Sequence, residues 1–153
     1  MGRGQLIFIS PRYEGMTKSM IDITLGSCLC GTVRFELHGV FDSFFLCHCS
    51  RCRKGTGSAH AANLFAAQMT IDWTSGRDSV RSYRVPDTRH ERSFCARCGS
   101  ALPHAPSDGL LVVPAGSIDS AINIRPGAHI CTQSRADWDV DLERVGHFDH
   151  LPE

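Results

Sequence analysis

The sequence predicts a mainly β domain, an irregular β-sandwich that is held together partly by metal. Three observations lead to this prediction. Short alternating or apolar segments recur about every 8 to 15 residues, with Gly and Pro between them, as in all-β domains. No amphipathic helix longer than about two turns is evident. Seven of the eight cysteines fall into three close groups, a spacing that is typical of metal binding.

The first strand is predicted within residues 32–37, where three apolar side chains alternate with charged ones. This period of two places the apolar side chains on one buried face. A second apolar segment, residues 40–46, leads directly into the cysteine group that begins at Cys47. Further strands are predicted at residues 69–73, 79–85, 110–113 and 128–132, and the one at 79–85 is expected to be peripheral because both of its faces are polar.

The last predicted strand contains Cys131, which we interpret as a small buried side chain because it stands apart from the other cysteines. Trp138 is interpreted as part of the core. Residues 1–22 have no periodic pattern and are interpreted as a flexible N-terminal extension, and residues 23–153 as a single zinc-binding β domain.

Charge and hydropathy exclude two classes of partner. The formal net charge is +0, with 16 basic and 16 acidic residues, so we expect no binding to nucleic acid. No apolar run approaches the roughly 18 residues that a membrane span needs. The segment between Arg77 and Arg97 is rich in arginine. It is interpreted as a solvated face, and an anion-attracting flank beside the cysteine site is the alternative.

The N-terminus lacks the apolar stretch and the cleavage site of a signal peptide, so we expect a cytoplasmic protein. In that reducing compartment, closely spaced cysteines are metal ligands or redox groups rather than disulfides. Cys95 and Cys98, followed by Gly99, form a zinc-knuckle pattern. With Cys28 and Cys30 they supply four thiolates, which close a tetrahedral structural zinc site and leave no position for a substrate; catalysis at these cysteines is the lesser alternative.

The remaining group is Cys47, Cys49 and Cys52, which can fill three positions of a second zinc ion and leave the fourth open, as in catalytic sites. The chain is therefore expected to bind two Zn2+ ions, one structural and one catalytic. The cations next to this group are predicted to bind substrate carboxylates and to offset the thiolate charge: Arg51, Arg53 and Lys54.

Two alternatives remain for the three-cysteine group. His48 is a candidate fourth ligand that would close the site, although its alternation with the cysteines turns it away from them. The thiols are also candidates for a redox role. His60, His104 and His129 are interpreted as core or surface residues rather than proton carriers, and a position lining the site is the alternative for each.

Five segments follow one another along the chain: GSCLCGTVRF at 26–35, CHCSRCRKGTG at 47–57, FCARCGS at 94–100, GSID at 116–119 and HI at 129–130. Together they carry a resemblance to the glutathione-dependent formaldehyde-activating enzyme and centromere protein V family. It implies an Mss4-like β fold, two zinc ions grouped as above, and carbon-sulfur lyase activity on a small thiol adduct such as S-hydroxymethylglutathione, which forms from formaldehyde and glutathione. It also implies that the zinc on the three-cysteine group contacts the sulfur or hydroxymethyl oxygen of the substrate. The centromere branch suggests the alternative of a non-catalytic, zinc-stabilised interaction module.

Overall fold

The computed structural model describes residues 22–105 and 109–152, so most of the predicted N-terminal extension lies outside the described residues. The described chain forms ten strands and one α-helix, in an order that alternates short strands with tight turns. The strands are β1 (Ile23–Ser27), β2 (Arg34–His38), β3 (Ser43–Cys47), β4 (Ala61–Ala66), β5 (Thr70–Ser75), β6 (Val80–Arg84), β7 (Glu91–Cys95), β8 (Ala101–Leu102), β9 (Leu111–Pro114) and β10 (Ala128–Ile130), and the helix is α1 (Ser50–Thr56).

The strands form three small sheets, with the orders β1-β2-β5, β10-β3-β4-β9 and β6-β7-β8. Neighbouring strands are antiparallel except for β10, which pairs with β3 in parallel. The prediction of a mainly β, irregular fold is therefore confirmed. The α-helix has 7 residues, which agrees with the absence of a longer helical pattern in the sequence.

The core is built from the alternation that the sequence shows in and just before β2. Val33, Phe35 and Leu37 are at most 1% exposed, and they pack with Leu64 of β4 and Val113 of β9. Burying a side chain of this size stabilises the fold by about 1.5–3 kcal/mol. The core therefore joins the β1-β2-β5 sheet to the four-stranded sheet.

The predicted peripheral strand is β6, the edge strand of its sheet. Its first residue, Val80, is half-buried, and the other four residues are exposed. Pairing with β7 alone leaves its outer backbone edge uncovered. The polar alternation at residues 79–85 thus identified an edge strand correctly.

Two interpretations of single residues were wrong. Cys131 is exposed, because β10 ends at Ile130 and the chain turns there with a φ of 55° at Cys131. Trp138 is 63% exposed. The segment after β10 consists of turns and short 3-10 helices, and its buried residues are Ala136 and Asp139 rather than the tryptophan.

No helix in the described parts of the chain has the length and apolar character that crossing a membrane requires.

Candidate metal centres and the adjoining cavity

Four cysteines meet where two strand connections face each other. Cys28 and Cys30 lie between β1 and β2, and Cys95 and Cys98 lie at the connection of β7 to β8. Their sulfurs all lie within 4.8 Å of one another. The Cys28 and Cys30 sulfurs are 3.5 Å apart, and those of Cys30 and Cys95 are 4.0 Å apart. Thiolates that share a tetrahedral zinc at ~2.3 Å are separated by roughly 3.8 Å, so this group fits the ion.

Local backbone geometry brings the paired sulfurs together. In each pair a glycine follows in the left-handed region, Gly31 with a φ of 71° and Gly99 with a φ of 73°. Each glycine amide donates a hydrogen bond to the backbone carbonyl oxygen of the first cysteine of its pair. The distance is 2.9 Å to Cys28 and 2.8 Å to Cys95. Gly31 therefore supplies the tight turn that lets the sulfurs of Cys28 and Cys30 approach each other.

Hydrogen bonds and burial act in opposite directions on the pKa of the thiols in the four-cysteine group. The Thr32 hydroxyl lies 3.3 Å from the Cys30 sulfur and, with the Thr32 amide, lowers the pKa of Cys30 to about 6. Burial raises the pKa of Cys28, although the Val33 amide donates to its sulfur at 3.2 Å. Both Thr32 and Val33 thus favour the thiolate form that a metal needs.

The second group is formed by Cys47, Cys49 and Cys52, whose sulfurs also lie within 4.8 Å of one another. Cys47 is the last residue of β3, Cys49 is the N-cap of α1, and Cys52 lies in the first turn of that helix. Ala61 of β4 pairs with Cys47 and packs against the cluster. Because α1 begins immediately after β3, three thiols from six residues face one point.

Burial acts to raise the pKa of all three thiols, and hydrogen bonds set Cys49 apart from the other two. It raises the pKa of Cys47 and the pKa of Cys52. Burial also acts to raise the pKa of Cys49, but the Cys52 amide donates to its sulfur at 3.3 Å and, with the neighbouring thiols, lowers the pKa overall. Cys49 is therefore the first of the three to offer a thiolate. Three sulfur donors suit zinc, so the residues of this group also fit the ion.

His48 does not join this group. Within the described residues the group consists of the three cysteines. The His48 side chain is 1% exposed, with Nδ1 2.7 Å from Asp139 Oδ2 and Nε2 2.8 Å from His129 Nδ1. Both ring nitrogens thus lie against partners other than the cysteines, through a hydrogen bond at Nε2 and a close contact without hydrogen-bond geometry at Nδ1, as the alternation with Cys47 and Cys49 predicted.

A cavity of about 450 Å³ adjoins the three-cysteine group. It lies between α1, the four-stranded sheet and the β6-β7-β8 sheet, and the polar or charged residues on its wall include Cys52, Arg51, Asn63, His90, Arg92 and His104. A second cavity of about 480 Å³ shares Arg51, Gly55, His90 and Arg92 with the first. The two cavities therefore lie next to each other along α1, and together they are called the groove below.

Two of the three predicted substrate-binding cations line this groove. Arg51 lines both cavities and Lys54 lines the second one. Arg53 lines neither of them and is half-buried. Arg53, Arg51 and Lys54 follow one another on a short helix, and only one side of that helix can face the groove.

Sequence reasoning missed His90 and Arg92, which lie opposite α1. Arg92 Nη1 donates a hydrogen bond of 2.6 Å to the carbonyl oxygen of Gly55, and its guanidinium carbon lies 5.4 Å from the centre of the Phe94 ring. Burial, followed by the charges of Arg51 and Arg92, lowers the pKa of His90. The only signal for these residues was the arginine-rich segment from Arg77 to Arg97, interpreted mainly as a solvated face.

Comparison with known proteins agrees with this arrangement. A family model described as glutathione-dependent formaldehyde-activating enzyme matches residues 23–134. A Halomonas elongata protein, provisionally named as such an enzyme, is 35% identical over 130 residues, which cover 77% of this chain and 80% of the relative. A crystal structure of a Rhodobacter sphaeroides protein has the same fold, with a TM-score of 0.50, 21% identity, and coverage of 69% of this chain and 98% of that one.

The family match spans both cysteine groups and most of the groove, and the relative aligns over a larger part of the chain than the model does. Both comparisons thus agree with the three cysteine motifs that first suggested the resemblance. The chain belongs to the glutathione-dependent formaldehyde-activating enzyme family.

Proposed function

We propose that the chain is a zinc-dependent carbon-sulfur lyase that acts on a small thiol adduct such as S-hydroxymethylglutathione. The observation that carries this proposal is the position of the three-cysteine group at the wall of a cavity that also presents arginine side chains. Three thiolates leave one coordination position of zinc open, whereas the four-cysteine group fills all of them. Chemistry is therefore assigned to the first group and a structural role to the second.

Cys47, Cys49 and Cys52 would hold the catalytic zinc, and Cys28, Cys30, Cys95 and Cys98 would hold the structural one. When bound at the three-cysteine group, zinc supplies a Lewis acid and an open position for a sulfur or oxygen atom. The fit rests on donor type and on sulfur separations within 4.8 Å in each group.

The groove supplies recognition of the rest of the substrate. Arg51 and Arg92 face the same space, and a guanidinium can bind a carboxylate through two parallel hydrogen bonds. Lys54 adds a third cation at the second cavity, and Arg53 contributes positive charge from the other side of α1. A thiol that carries carboxylate groups, as glutathione does, matches this lining.

The reaction moves one proton without any oxidant. As the carbon-sulfur bond of a hydroxymethyl thioether breaks, the hydroxyl proton leaves, formaldehyde is released and the electron pair stays on sulfur, which then takes up a proton. His90 lines both cavities, and burial, followed by the charges of Arg51 and Arg92, lowers its pKa and so favours the neutral imidazole. Its unprotonated ring nitrogen is an acceptor for this proton in the groove.

The proposal includes a reducing, cytoplasmic setting. All eight cysteines are free thiols, and thiolates remain available for metal only where oxidation is suppressed. The partner is a small thiol, and no nucleic acid or membrane partner is proposed.

The test combines metal analysis with ligand titration. We expect wild-type protein, purified under reducing conditions without chelator, to hold two zinc ions per chain. Cys52→Ala should hold one and remain folded. Cys131→Ala is the matched control, because Cys131 is an exposed cysteine outside both groups, and it should hold two.

Glutathione titrations with and without formaldehyde should shift NMR signals of Cys49, Arg51 and Arg92 in wild-type and Cys131→Ala protein. The exchange of formaldehyde with S-hydroxymethylglutathione should be faster with these proteins than with Cys52→Ala. A single zinc per wild-type chain would refute the two-site assignment. Two zinc ions with no shift along the groove would favour a non-catalytic interaction module.

A further inference from the structure

His48, the residue between two of the predicted metal ligands, is held from several directions. Its backbone amide donates a 2.9 Å hydrogen bond to the carbonyl oxygen of Ile130 in β10. One ring nitrogen contacts His129 at 2.8 Å and the other contacts Asp139 at 2.7 Å. A side chain fixed at both ends of its ring cannot rotate without breaking a contact. Its backbone, and with it the flanking Cys47 and Cys49, is therefore fixed as well.

Asp139 is the partner that comes from farthest along the chain. Its side chain is 8% exposed, and its amide donates to the carbonyl oxygen of Ala136 at 3.0 Å, which closes a turn. Arg135 Nε lies 3.5 Å from the same carboxylate oxygen that contacts His48. The turn at residues 135–139 thus presents one buried carboxylate to one imidazole, and a buried carboxylate is retained only where it has partners.

At this end of the four-stranded sheet, one face carries the thiols and the other carries histidines. Ala61 and Ile130 pair with Cys47 in the neighbouring strands and pack around the thiols on one face. The residues that precede them, His60 and His129, lie with His48 on the other face, with ring centres 5.0 to 6.1 Å apart. The histidine face therefore supports the strand ends that carry the thiols without contributing a ligand.

We propose that Asp139 is a positioning residue, which acts through His48 to hold Cys47 and Cys49 in the geometry that binds the metal. The turn at residues 135–139 then supports the metal centre, although it lies beyond residue 134, where the family match ends. This inference rests on the assignment of a metal to the three-cysteine group in the proposed function. It does not depend on the reaction that the metal supports.

The test measures metal affinity at each cysteine group in Asp139 variants. Zinc is competed with a chelator of known affinity, and Cys52→Ala, which keeps only the four-cysteine site, identifies the signal of that site. Asp139→Ala should weaken zinc binding at the three-cysteine group by about 10- to 100-fold, the range found for residues that support metal ligands, and leave the other group unchanged. Asp137→Asn, an exposed residue of the same segment, is the matched control and should bind as wild type does.

Cobalt gives a second readout that a merely structural role would not alter. The visible spectrum of Co2+ on thiolates depends on coordination geometry. Asp139→Ala should therefore change the band of the three-cysteine group at full metal loading. Asp139→Asn keeps an oxygen acceptor near His48, so its affinity and spectrum should fall between those of wild type and Asp139→Ala. If Asp139→Ala fails to fold, the comparison of Asp139→Asn with Asp137→Asn decides.

Wild-type affinity and spectrum in folded Asp139 variants would overturn the proposal, and so would an equal loss at both cysteine groups. The proposed function fails separately if the Asp139 variants behave as expected but wild-type protein does not accelerate the formaldehyde exchange. A wild-type chain with no metal on the three-cysteine group would overturn both.

Discussion

Replacing Arg92 by methionine tests the carboxylate recognition that we propose for the groove. Arg92 is half-buried on the wall that faces α1, and one of its N–H groups is taken by the carbonyl oxygen of Gly55 at 2.6 Å. This hydrogen bond and the packing on Phe94 orient the guanidinium before any ligand arrives. Methionine fills a similar length of cavity wall but removes the charge and all five donors.

The expected loss follows from the hydrogen bonds that remain available. With one N–H donated to Gly55, the other groups of Arg92 can engage a single carboxylate. A hydrogen bond to a charged group contributes about 1.5–3 kcal/mol. Because every 1.4 kcal/mol is a factor of about 10 in affinity, Arg92→Met should raise the Kd for glutathione by about 10- to 150-fold.

Calorimetric titration with glutathione, at fixed ionic strength and with two zinc ions confirmed per chain, measures this change. Arg81→Met is the control, because Arg81 is an exposed arginine on the neighbouring strand that does not line the groove. Zinc content and thermal midpoint should be close to wild type in both variants. Equal glutathione affinity in Arg92→Met and Arg81→Met would refute the assignment of the carboxylate site to this wall.

Two further predictions concern stability. Gly76→Ala should lower the free energy of unfolding, measured in urea, by about 1–3 kcal/mol more than Gly57→Ala does. The φ angles are alike, 65° at Gly76 and 67° at Gly57, but of the two sites only Gly76 has backbone in the way of a Cβ, namely the carbonyl of Thr32. Equal losses would contradict this packing. Burial lowers the pKa of His104, and burial with nearby arginine charges lowers the pKa of His90. A histidine whose pKa is lower in the folded state than its unfolded value of about 6.5 contributes stability at pH values above about 6.5. This stability is lost as the pH falls from about 6.5 towards the folded pKa. His104→Gln should therefore lose less stability than wild type between pH 7.5 and 5.5, and parallel curves would contradict the assignment.

The elements that sequence predicted well are those that depend on near neighbours. Alternation at Val33, Phe35 and Leu37 identified a buried strand face, since a side-chain period of two has one structural meaning in a short segment. The three-cysteine group was equally readable, because the sulfurs of Cys49 and Cys52 are brought together by the start of a single helix. His48 was correctly turned away for the same local reason.

The parts that escaped prediction depend on contacts between distant segments. Arg92 meets Gly55 across 37 residues, and His48 meets Asp139 across 91 positions of the chain, so no local pattern marks either pair. The exposed Trp138 shows the same limit. It was interpreted as part of the core, but the turn around it buries Asp139 instead, and the carboxylate of Asp139 contacts His48 and Arg135.

The two cysteine groups differ in what they join, and this difference supports their separate roles. The four-cysteine group connects turns that are 65 residues apart, from Cys30 to Cys95, so a metal there ties two sheets together. The three-cysteine group comes from six consecutive positions at the end of β3, and a metal there closes no long loop. Loop closure contributes little stability over so short a span. A metal bound there would add little to the fold, would stand at a cavity wall and, as proposed above, would be supported from behind by the buried carboxylate of Asp139; these three points favour the proposed role of this group in substrate chemistry.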